Sequence, residues 1–135
     1  MATNFIRWAP ALVWAIALPV VAQSTDPNGA VSKQVSTATA HAALALGAAD
    51  LKMTQVHLHH VINCLVGPAG ESYDATQDNP CKGMGQGAMV DAKGDSTRES
   101  QVQAAVTEAM HGLKAATVSE AHADAQKVLS TLQAK

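Results

Sequence analysis

Residues 41–68 read HAALALGAADLKMTQVHLHHVINCLVGP, and this stretch decides how the chain folds. Leucine recurs at positions 44, 51, 58 and 65. A seven-residue spacing keeps one side chain per two turns on the same helical face, so the pattern predicts a helix with a single leucine seam. The stretch ends on Gly67-Pro68, a pair that cannot continue a helix. Upstream, no proline intervenes until Pro27, and Asp26-Pro27 suits a helix start, with an acceptor side chain followed by a residue that needs no N–H partner in the first turn. The expectation is one helix over 27–66, about 55 to 60 Å long. Gly47 is its weakest point.

Downstream the character reverses. Glycine stands at 67, 70, 83, 85, 87 and 94, with Pro68 and Pro80 between them, and no hydrophobic period is sustained. Residues 67–95 therefore read as a long loop, which in a small domain needs a staple. The chain's two cysteines are Cys64, just before this loop, and Cys81, within it. A bridge between them closes a loop of about 18 residues and stabilises by ~3 kcal/mol through chain entropy. The rival chemistry is a Cys64 thiolate with His60 one turn before it. A second helix is expected over 96–134, opened by a capping box from Ser96 to Glu99, with Val102, Val106, Leu113, Ala121, Val128 and Leu132 on one broad stripe.

The fold class is all-α. Two arrangements satisfy it. In one, an antiparallel hairpin of two long helices leaves much of each stripe uncovered and completes a four-helix bundle by dimerisation. In the other, the helices break at Gly47 and Gly112 and fold back within one chain. The dimerising hairpin is the arrangement carried forward as the expectation.

The first 22 residues stand apart. Arg7 is their only charge, the run from Trp8 to Val21 is almost wholly apolar, and Val20-Val21-Ala22 offers the small residues of a cleavage site. Pro10 and Pro19 interrupt a run already shorter than the roughly 20 residues that span a bilayer. The segment is expected to be a signal peptide cut after Ala22, giving a periplasmic or secreted protein without stable membrane insertion. Its removal takes Phe5, Trp8 and Trp14 and leaves Tyr73 as the one aromatic side chain. The mature chain carries 8 basic and 11 acidic residues, a balance of −3, with no basic footprint for a phosphate backbone. Nucleic acid is not an expected partner.

The chemistry lies in six histidines, all on expected helices, with His57, His59 and His60 crowded into the last turns before the loop. His57 and His60, three apart, can share one ion, and Met53 lies one turn before His57 on the same side. Imidazole suits copper, nickel, zinc and iron, and Met84 and Met89 would favour copper if the loop folds over the site. Setting residue 65 opposite residue 97 brings His41 near His122 as a second pair, and His111 near Asp50, whose carboxylate would orient the ring. His59 faces the side that carries His41. The candidate metal ligands are thus His57, His60, His59, His41, His122 and Met53, with a transition metal ion as cofactor. Haem between two axial side chains is a lesser candidate, because so few aromatics make a poor porphyrin wall. Gly83 to Gly87 lacks the preceding strand and the Lys-Ser or Lys-Thr of a phosphate loop, and no acid, base and nucleophile set assembles, so no enzyme is expected.

The segments TAHAALAL at 39–46 and VHLHH at 56–60, on an exported alanine-rich chain, resemble the small periplasmic metal-binding helical proteins. That resemblance implies a four-helix bundle whose surface histidines take up divalent metals, copper foremost. The alternative function is a periplasmic interaction module in which the leucine seam and the stapled loop engage a partner and the histidines are incidental.

Overall fold

A computed structural model describes residues 27–135; the segment expected to be a signal peptide, its expected cleavage after Ala22 and Asp26 lie outside the described residues. Five helices follow in order: α1 (Pro27–Gly47), α2 (Leu51–Val66), the short α3 (Ala88–Asp91), α4 (Ser96–Gly112) and α5 (Val118–Gln133). No strand occurs among the described residues.

The helix expected over 27–66 is two helices, and so is the one expected over 96–134. Each break has a local cause. Gly47 ends α1, and three residues later Asp50 takes an extended conformation and its side chain accepts the Met53 N–H at 2.8 Å, capping a new helix start. Between α4 and α5, Thr117 accepts the Glu120 N–H while the Glu120 carboxylate reaches back to the Thr117 N–H, a complete capping box. At α4 the cap is Asp95, which accepts from Arg98 N, so Ser96 is the first helical residue rather than the cap. Glu99 accepts instead from Gly94 N.

The breaks also dissolve the leucine seam. Leu58 and Leu65 are fully buried, Leu51 is half-buried, and Leu44 is 51% exposed. What α1 buries is Val31, Val35, Ala38, Ala42 and Ala45, a stripe at helical spacing made mostly of small residues. Small residues let helix axes approach closely. α1 packs on α2 and α5, α4 packs on α2 and α5, and the four long helices of one chain surround a shared core. Ala105, Ala109, Ala121, Ala125, Val102, Val128 and Leu132 complete it. Within the chain, α1, α2, α4 and α5 each bury a stripe against this core. With a core this lean, each large side chain counts; full burial of Leu58 contributes about 1.5 to 3 kcal/mol.

The stapled loop contains α3 and folds back on the bundle. Cys64 and Cys81 are joined, with S–S 2.06 Å and Cα–Cα 5.0 Å, which removes Cys64 both as a thiolate and as a metal ligand. Gly67 has φ +70, and a Cβ there would collide with the Gln86 carbonyl; a Cβ on Gly87 would collide with Val66. Two glycines thus permit the backbone after α2 and the backbone before α3 to touch. Fully buried Asn63 on α2 organises the intervening turns, its amide donating to the Asp74, Gln77 and Asp78 carbonyls while its oxygen accepts the Asp74 N–H.

Candidate metal centre

On α2, Leu58, Val61, Ile62 and Leu65 enter the core, and this fixes where the histidines fall. His57 and His60 sit on the flank of that stripe, half-buried, toward α1. The reversal at Gly47–Asp50 runs α1 back along α2. As a result His41, one residue from the buried Ala42, reaches the same flank.

The three rings converge through equivalent atoms. The Nδ1 of His41 is 3.3 Å from the Nδ1 of His57 and 3.3 Å from the Nδ1 of His60. Each ring offers a nitrogen within 4.8 Å of the other two. Ring centroids are 4.9, 5.5 and 5.7 Å apart, and His60 stands nearly perpendicular to both of the others. A neutral imidazole has one N–H and one in-plane lone pair. The His41 Nδ1 faces two nitrogens and can make one linear hydrogen bond, so protons alone satisfy the group poorly. A cation placed among the three lone pairs satisfies it fully.

Electrostatics favour the unprotonated rings of His41 and His60. Burial lowers the His41 pKa from its ordinary value, and the neighbouring His60 and His57 lower it further. His60 is lowered by burial first, then by His57 and His59, while the Asp78 carboxylate pulls the other way. A cleft of about 550 Å³ opens beside His41 and His60, walled by loop residues that include Tyr73, Asp78 and Lys82.

The chain matches no family model, no curated protein and no solved structure.

The remaining candidate ligands lie elsewhere. His59 turns to the loop, where its Nδ1 is 3.6 Å from the Asp74 carboxylate. Asp74 is held below the usual carboxylate range chiefly by the Thr76 hydroxyl and N–H, with burial opposing and His59 assisting. His122 is not paired with His41; its Nε2 donates to the Ala48 carbonyl at 3.0 Å, where it ties α5 to the turn after α1. Met53 is 46% exposed. Met84 accepts a hydrogen bond from Thr37, one turn before His41 on α1, at 3.7 Å. His111 is oriented by a carboxylate, but the carboxylate is Asp124 at 2.6 Å rather than Asp50. The expected pairings of His41 with His122 and of His111 with Asp50 share one origin, the register of a continuous hairpin. Once α1 ends at Gly47, His41 belongs to the neighbourhood of α2. The signal for this was the Asp50 cap followed three residues later by Met53, which marks a helix start inside the apparently continuous run.

Proposed function

We propose that the chain binds one transition metal ion through His41, His57 and His60 and serves to store, buffer or deliver it outside the cytoplasm. The observation that carries this is the convergence of three Nδ1 atoms from two helices, two of the three spacings being 3.3 Å. With metal–nitrogen bonds of about 2.0 to 2.1 Å, a tetrahedral centre separates its nitrogens by about 3.3 to 3.4 Å, whereas right-angled ligands stand about 2.9 Å apart. The spacing therefore favours an ion content with tetrahedral coordination, zinc or cuprous copper, over nickel or cupric copper. Rings this close, turned edge to face, suit a bare ion better than a porphyrin.

The disulfide fits an oxidising compartment, in keeping with the leader's character. No described helix is long and apolar enough to cross a membrane. The resemblance to small periplasmic metal-binding helical proteins points the same way. The binding unit is the single chain, since all three ligands come from it. No reaction is assigned to the centre.

Titration of the mature protein with Zn(II), Cu(I), Cu(II) and Ni(II), each against a chromophoric competitor, tests the proposal. One ion per chain is expected, with Zn(II) or Cu(I) bound most tightly relative to the competitor. His41→Ala is expected to weaken binding by more than about a hundredfold, because loss of an outer partner alone weakens metal sites by 10 to 100-fold. His59→Ala and His122→Ala are expected to leave it within a few fold. Equal losses in all three variants would exclude the site.

A further inference from the structure

Three neutral imidazoles leave a divalent ion with both its charges, in a half-buried position, and with one tetrahedral place unfilled. The open side of the group is the cleft beside His41 and His60. Among the groups that wall it, Asp78 brings a carboxylate oxygen, a ligand that zinc takes alongside imidazole. Its side chain is exposed and makes no hydrogen bond or ion pair among the described residues, not even with Lys82 in the same cleft. Its backbone, by contrast, is fixed, since the Asp78 carbonyl accepts from buried Asn63 at 3.1 Å and Cys81, three residues on, is bonded to Cys64 of α2. A tethered main chain with an unengaged carboxylate is the arrangement a closing ligand needs.

Resting on the three-histidine reading, we propose that Asp78 is the fourth ligand, turning its carboxylate onto the ion from the stapled loop to give a closed His₃Asp site. A closed site with no place for water suits storage or buffering rather than chemistry on a substrate. One carboxylate also halves the net charge left on a divalent ion, which a partly buried site requires.

The test uses the mature protein with Zn(II) for affinity and Co(II) as a spectroscopic stand-in. Asp78→Asn keeps the size and surface exposure of the side chain and removes its charge. It is expected to retain one ion per chain, to bind Zn(II) at least tenfold more weakly, and to shift the visible Co(II) bands as an oxygen ligand is replaced by water. The thermal midpoint of the metal-free variant is expected to match that of the parent, which separates ligation from a structural role. Unchanged affinity with an unchanged Co(II) spectrum would overturn the assignment of Asp78. Unchanged binding in His41→Ala would instead overturn the three-histidine site itself.

Discussion

His41 on α1 and His57 on α2 face each other across 3.3 Å between Nδ1 atoms, and the contact exists because the chain reverses between Gly47 and Asp50. Asp50 takes no part in the metal group, yet it fixes the first turn of α2 through its bond to Met53 N, and Thr54 adds a hydroxyl bond to the Asp50 carbonyl at 2.9 Å. Asp50→Ala is expected to destabilise the protein by about 1 kcal/mol, the usual effect of losing a helix cap. It should also weaken metal binding severalfold without touching a ligand. Asp50→Ser restores an acceptor and should restore both. Calorimetric unfolding and competitive titration read the two quantities; a loss of stability with unaltered affinity would show that α2 holds its histidines without the cap.

The lowered pKa values of His41 and His60 give the metal-free protein a defined response to acid. Both groups bind protons less readily folded than unfolded. Above about pH 6.5 these side chains are neutral in both states, and stability does not change on their account. As pH falls below that value the unfolded chain takes up protons that the folded triad resists, and stability declines until the folded groups titrate. Thermal midpoints measured from pH 8 to 5 are expected to run level and then fall, and the fall should shrink in His41→Ala. A midpoint that rises between pH 7 and 5 would contradict the burial of the triad. Metal affinity is expected to follow the same limb, since protons and the ion compete for the same Nδ1 atoms.

Much of this was readable in the amino-acid sequence. The helical content, the Cys64–Cys81 bridge and the importance of the His57–His60 turn follow from spacing and composition. The position of His41 did not, because a seven-residue leucine repeat and an alanine-rich run do not distinguish one long helix from two short ones. The four leucines look equivalent in sequence, but a break at Gly47 leaves Leu44 facing solvent while Leu58 is sealed in the core. The decisive information lay in caps: Asp50, and Thr117 with Glu120, each announce a helix start that hydrophobic periodicity overrides. Asp124 and His111 were equally hidden, since their pairing depends on α5 folding back on α4.

The two glycines at helix ends should respond oppositely to alanine. A Cβ on Gly47 would meet nothing within 4 Å, and its φ lies outside the left-handed region, so Gly47→Ala should gain about 0.5 to 1 kcal/mol from reduced backbone freedom. A Cβ on Gly112 would lie 2.7 Å from Leu58 Cδ1 and 3.2 Å from Asp124 Cβ. Leu58 is fully buried and cannot swing aside, so Gly112→Ala should destabilise by about 1 to 3 kcal/mol. Denaturant midpoints of the two variants against the parent decide it. A gain at both positions would mean that α4 and α5 have room to separate.

Asp124 is a buried acid of the core, only 4% exposed in its side chain, and it holds two exposed side chains on α5 and α4: Lys127 at 2.8 Å and His111 at 2.6 Å. Burial alone would push its carboxyl upward. The hydrogen bonds and charges of Lys127 and His111 outweigh that and bring it below the ordinary value. A carboxyl so lowered stabilises the fold above the ordinary Asp range and ceases to do so as pH falls through its folded value. Asp124→Asn keeps the shape and removes the charge, and at pH 7 it should destabilise by about 1 to 3 kcal/mol through loss of charged hydrogen bonds. The gap between parent and variant should then narrow as the pH drops below about 4, where the unfolded chain takes up a proton that the folded carboxyl resists until lower pH. Urea unfolding at pH 7 and pH 3 tests this. A gap of the same size at both would mean that the loss does not come from the carboxylate's charge.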